Sequence, residues 1–191
     1  MDEELVGRAR TLADERLAIV MPQRWAHVQG VARIASDVAP RLLSRDSDAV
    51  VAAAWLHDVG YSPSTSATGF HPVDGARFAR SAGMPELVVS LIAHHSAAHA
   101  EAIERGLAAE LAEFELPPSD VLDVVTYADM TTAPDGGRID AETRVREILD
   151  RYSTDDPVHS AVSRSSVELL ASVDRVNERL RLVDAGAVQP R

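Results

Sequence analysis

Apolar residues recur three and four positions apart along almost the whole chain, and no sustained stretch alternates apolar with polar between hairpin turns. Period 3.6 puts such residues on one face of a helix, whereas a strand needs period two, so the pattern predicts an all-α fold. The expected helices cover residues 3–20, 23–38, 47–58, 72–82, 85–96, 99–114, 119–131, 140–151 and 157–182, a single bundle of roughly seven to nine helices. Pro22, Pro72, Pro85 and Pro157 stand where a first helical turn tolerates proline, and Gly60 and Gly83 stand where helices stop. Asp140 and Asp156 are expected N-caps.

At 191 residues the chain suits one domain, expected over residues 1–185 with a frayed tail at 186–191. A chain of this size buries about 70% of its unfolded surface without staples. Aromatic residues are only 4%, so the core must come from Ala, Val, Leu and Ile. Cysteine is absent, which removes disulfides, zinc–thiolate sites and iron–sulfur ligation and leaves His and carboxylates as the strong metal ligands. The N-terminus has no apolar signal region and no run reaches membrane-span length, so a cytoplasmic protein with no membrane partner is expected.

A net charge of −11 argues against a broad grip on nucleic acid, which needs clustered positive charge. It permits a small phosphorylated ligand held by a local pocket. Every basic side chain is arginine, so neither a Schiff-base lysine nor a Walker-type lysine is available.

The histidines and certain aspartates follow or interrupt apolar runs: His27 in RWAHVQGVA, His57 and Asp58 in WLHDVG, His71 in GFHPVDGA, His94 and His95 in LIAHHSAAH, and Asp129 in VTYADMTT. A His-Asp pair at a helix end can arise from the helix dipole alone. Several inward-facing His and Asp side chains in one small core, however, need partners, because each buried unpaired polar group costs about 1–3 kcal/mol. One metal ion satisfies them together.

The ordered set His, His-Asp, His, His-His, Asp, spread over residues 24–132, resembles the HD-domain superfamily of metal-dependent phosphohydrolases. The resemblance implies that His27, His57, Asp58 and Asp129 bind a first metal. Asp58 would bridge to a second, completed by His71 and either His94 or His95. It also implies one or two divalent ions per chain, Mn, Fe, Co, Ni or Zn, with Mg suited to a single-ion site. Neighbours on a helix point about 100° apart, so His94 and His95 share a metal only near a helix end, and one of them is free to meet phosphate or donate a proton. Arg24, one turn before His27, is placed to fork onto a phosphate or pair with a ligand carboxylate.

Asp58, His94, His95 and Arg24 are expected to act on a phosphate ester or anhydride of a small molecule, foremost a nucleotide. The alternatives are a di-iron oxygenase of the same superfamily and a non-catalytic nucleotide- or metal-binding module. Many relatives carry lysine where this chain has Tyr61 and Met130; Arg24, Arg77 and Arg138 can replace its charge but not its proton. Trp55 is expected in the core, Thr131 and Thr132 at a helix end or on substrate, and His99 and His159 on the surface. Asp74 is expected as a first-turn charge and Asp135 as a turn residue. Selectivity is expected from loops 61–70 and 131–138 and from the helix over 99–114. The long C-terminal helix is able to pair with a second copy in a homodimer.

Overall fold

The computed structural model describes residues 3–186. Its α-helices are α1 (Glu3–Leu17), α2 (Pro22–Leu42), α3 (Ser47–Leu56), α4 (His71–Ser81), α5 (Glu86–His94), α6 (Ala98–Arg105), α7 (Ala108–Leu111), α8 (Ser119–Met130), α9 (Ala141–Arg151) and α10 (Pro157–Asp184). Two 3-10 turns, Val59–Tyr61 and His95–Ala97, follow α3 and α5. Among the described residues the fold is all-α, with a lone bridge between Thr132 and Arg138 as its only β pairing.

The centre is α3. Its Val50, Val51, Ala52, Ala53, Ala54 and Leu56 are all buried, the signature of a helix surrounded on every side. It packs against α1, α2, α5 and α8, so its C-terminal end opens into the middle of the bundle. Alanine and valine let these helices approach closely, which suits a core almost free of aromatics. The long α10 closes the bundle by packing on α8, α6, α9 and α2.

The N-caps behave as expected: the Asp140 carboxylate accepts from the Thr143 N–H and the Asp156 carboxylate from the Val158 N–H. Four expectations need correction. The helix expected over 99–114 is divided, because Gly106 at φ 68° ends α6 in a left-handed cap and the one-turn α7 follows. Helix α2 runs on through Pro40 to Leu42 rather than stopping at 38, since a proline in the last turn removes only one backbone bond.

The C-terminal helix runs two residues past its expected end at 182, to Asp184; of the expected tail, 187–191 lie outside the described residues. Finally, Gly60 does not stop α3, which already ends at Leu56. A Cβ on Gly60 would stand 2.1 Å from the His71 carbonyl oxygen and 2.7 Å from the Gly75 nitrogen. Its bare backbone is what allows the start of α4 to rest on the Val59–Tyr61 turn.

Candidate metal centre

Helix ends deliver nearly every polar group to one point. His57 and Asp58 follow the last turn of α3, His71 begins α4, His95 follows α5, and Asp129 lies in the last turn of α8. His27 reaches the same point from α2. All are buried except His71, which is partly so.

They form two groups able to hold a metal ion, His27 with His57 and Asp129, and Asp58 with His71 and His95; within each, the ligand atoms lie within 4.8 Å of one another. Asp58 stands between the groups. Its Oδ2 is 3.4 Å from His57 Nε2 and 3.9 Å from His27 Nε2, while its Oδ1 is 3.6 Å from His71 Nε2.

The protons on these rings are fixed by backbone carbonyls. His27 Nδ1 donates to Ala133 O at 3.0 Å, His57 Nδ1 to Ala54 O at 2.8 Å, and His95 Nδ1 to Ile92 O at 2.6 Å. A neutral imidazole with Nδ1 protonated presents Nε2 as a bare lone pair, the form that ligates metal.

Those lone pairs meet no hydrogen-bond donor that would satisfy them all. His57 Nε2 is buried without a partner. His71 Nε2 and His95 Nε2 lie 3.2 Å apart, and His27 Nε2 lies 3.0 Å from Asp129 Oδ1. Acceptors facing acceptors repel unless a cation or extra protons come between them. The donor set therefore fits divalent ions that accept imidazole and carboxylate.

Charge reinforces this. Burial alone would push the Asp58 carboxyl up, but Arg24, His57 and His71 together hold it well below the usual carboxylate range. Burial likewise opposes the charge on Asp129, yet the His27 and His57 rings beside it keep its carboxyl lowered. Burial pushes His71 well below an ordinary histidine, helped by His95 and Arg24, and lowers His95, helped by His57. His57 goes the other way, because Asp58 and Asp129 outweigh its burial.

Arg24 Nη1 donates to Asp58 Oδ2 at 2.8 Å, and its guanidinium lies 4.1 Å from the centre of the Tyr61 ring. Tyr61 stacks on His71 with ring centres 4.0 Å apart, so an aromatic spacer joins Arg24 to a ligand ring.

Ser96 and Ala97 occupy the left-handed region, with φ 47° and 60°. Such residues cost about 1–2 kcal/mol each without a compensating contact. Here the turn aims Ser96 Oγ onto Asp129 Oδ2. Above the ligands lies a cavity of about 90 Å³ walled in part by Arg24, Tyr61, Glu101, Arg144, Arg151 and Tyr152. Burial pushes the Glu101 carboxyl up despite its pairing with Arg105.

His94 stands apart from the cluster. Its Nε2 lies 3.1 Å from the Phe114 carbonyl oxygen, and its ring lines a separate cavity with His99 and Leu116. The chain leaves helical geometry at His95, φ −60° and ψ 152°, so consecutive residues point to different sides and only His95 reaches the ligands.

Other candidates also lie elsewhere. Arg77 pairs with Glu113 on the surface, and Arg138 lines another cavity beside Asp174. Thr131 and Thr132 donate to Tyr127 O and Ala128 O and so close α8. Trp55 packs on Trp25 at 5.6 Å. His99 is exposed and His159 half-buried. Asp135 accepts from Gly137 N in a turn. Asp74 does more than expected: it accepts from the backbone of Ala67, Thr68 and Gly69 and so ties the loop before His71.

Sequence reasoning missed Ser96, Glu101, Arg144, Arg151 and Tyr152. No spacing rule marks them, because they come from a turn, α6 and α9 and converge only in the folded chain. No described helix is long and apolar enough to cross a membrane. Neither a curated protein nor a solved structure matches the chain. The family model of the HD domain matches residues 24–155, from the arginine beside Asp58 to just beyond the helix that carries Arg144, and the chain belongs to the HD domain family.

Proposed function

We propose that the protein is a metal-dependent phosphohydrolase that cleaves a phosphate ester or anhydride of a small molecule, foremost a nucleotide. One observation carries this reading: two groups of bare ligand atoms, joined by the two oxygens of Asp58, form the floor of a cavity whose wall holds arginine.

His27, His57 and Asp129 would hold one ion, and His71 and His95 a second, with Asp58 turning one oxygen toward each. When bound, divalent ions supply Lewis acidity, which lowers the pKa of water toward neutrality and neutralises charge on phosphoryl oxygens. The carbonyls of Ala133, Ala54 and Ile92 keep three rings in the ligating tautomer before any ion arrives. Ser96 fixes the rotation of Asp129. Arg24 holds Asp58 ionised and offers the rest of its guanidinium to a phosphate oxygen. Glu101, which retains its proton to higher pH than an ordinary glutamate, faces the cavity where a leaving oxygen would need one.

The test is phosphate release from a panel of nucleotides and phosphate esters with Mn, Fe(II), Co or Mg, for the wild type beside Asp58→Ala. Turnover in the wild type that disappears in the variant is expected. Turnover that survives in Asp58→Ala refutes the mechanism. Oxygen consumption without phosphate release would point to the oxygenase reading, and nucleotide binding without turnover to a binding module.

A further inference from the structure

Beside the ligand cavity lies a larger one of about 520 Å³, and the two share Arg24, His27, Arg144, Arg151 and Tyr152 as a common wall. In the larger cavity three guanidiniums face a single carboxylate, that of Glu147. Glu147 divides its oxygens, Oε2 to Arg144 and Oε1 to Arg151, so two cations share one anion and a positive excess remains.

Arg144 is 5% exposed, and its Nε is buried with no hydrogen-bond partner. A buried guanidinium that has only half of one carboxylate as its counter-charge is costly unless a further anion joins it. Arg144 stands at the boundary of both cavities. Arg151 is more exposed, with its guanidinium 6.0 Å from the centre of the Tyr152 ring. Guanidinium forks of this kind match phosphate geometry.

We propose that Arg144 and Arg151 form a second anion-binding subsite, which takes a phosphoryl group of the substrate other than the one cleaved. The inference rests on the phosphohydrolase reading and narrows it: the substrate carries at least two phosphoryl groups, one above the ligand cluster and one in the arginine cavity. A monophosphate held above the ligand cluster would leave the arginine cavity unfilled.

The test is calorimetric titration of inorganic pyrophosphate and, separately, inorganic phosphate into protein stripped of metal and freed of chelator, at low salt. Wild type, Arg144→Gln, Arg151→Gln and, as a control, Arg77→Gln, a surface arginine outside both cavities, are compared. Wild type is expected to bind pyrophosphate, and to bind phosphate, with its smaller charge, more weakly. Each variant of the arginine cavity should lose at least tenfold in pyrophosphate affinity, while Arg77→Gln keeps it.

Arg151 is partly exposed, so its variant folds and decides the question even if Arg144→Gln does not. Equal pyrophosphate binding by wild type and Arg151→Gln, or no binding by wild type, overturns the subsite. Because this readout needs neither metal nor turnover, it separates the two claims. Arginine-dependent binding in a protein that releases no phosphate from any substrate would sink the hydrolase reading alone. Hydrolysis with arginine-independent binding would sink the subsite alone.

Discussion

Replacing Asp58 by Asn keeps the side chain's shape and removes the charge that both ligand groups face. In the metal-free protein Arg24, 21% exposed at its side chain, loses its ionic partner. Breaking a buried pair costs about 3–5 kcal/mol, and Arg24's contact with water puts this one near 3 kcal/mol. For a chain of this size each kcal/mol moves Tm by about 2–4 °C, so Asp58→Asn should melt about 6–12 °C lower. Metal separates this structural loss from a ligand role. An ion at one hundred times its Kd stabilises the native state by about 2.7 kcal/mol, or about 5–11 °C. Differential scanning fluorimetry with Mn, Fe(II), Co, Ni or Zn should show that rise in wild type and none in Asp58→Asn. An equal rise in the variant, or none in wild type with any of these ions, would refute the assignment of Asp58 as the shared ligand.

Gly60→Ala should be destabilising, because its Cβ would meet the His71 oxygen at 2.1 Å and the Gly75 nitrogen at 2.7 Å, both backbone atoms that yield only if α4 moves. Overpacking of this kind costs about 1–3 kcal/mol, read as a lower urea midpoint, and the displaced His71 should shrink the metal-induced rise in Tm; an unchanged midpoint contradicts the packing argument. Acid should also weaken the metal-free protein. His71 and His95 are held below the ordinary 6.5, so the unfolded chain takes up their protons first, and their contribution is full above that pH and lost as pH falls below it. Asp58 and Asp129, held below 3.8, add a second loss at still lower pH, while the raised His57 works in the opposite sense as pH rises past 6.5. A urea midpoint higher at pH 5.0 than at pH 7.5 would show that His57 dominates and that this balance is wrong.

The helical fold was legible because α1, α2 and α10 carry their burial in sequence period, as Ala9, Ala13 and Leu17 do in α1, and because Pro22, Pro157, Asp140 and Asp156 mark the starts of α2, α10 and α9 with local chemistry. The division at Gly106 was legible in principle, as glycine after Arg105 is a stop signal, but the apolar period continues past it and hides the break. Individual ligand types could be read as well, since polar groups that end apolar runs must find partners inside. Which of His94 and His95 turns inward could not. That depends on where α5 uncoils, which is set by the left-handed pair Ser96 and Ala97 and by Ser96 reaching Asp129 across the bundle. The role of Asp74 was hidden for a similar reason, because a first-turn charge and a loop anchor look alike until the chain folds back over it.

The charge distribution bears on what such a cavity can admit. The chain carries −11 overall, yet the wall shared by the two cavities holds Arg24, Arg144 and Arg151. At physiological salt a charge is screened beyond about 8 Å, so those arginines attract a small anion already at the cavity mouth while the outer surface repels a long polyanion before it can lie down. Asp58 and Asp129 would repel the same anion from the floor unless cations neutralised them, which makes metal loading a precondition for phosphate to approach the ligand cluster. Binding in the arginine cavity carries no such condition. On the proposed function, added metal should therefore tighten phosphate more than it tightens any contact made by Arg151. A metal-independent grip on the far phosphoryl group would hold the substrate in register while the floor is being completed.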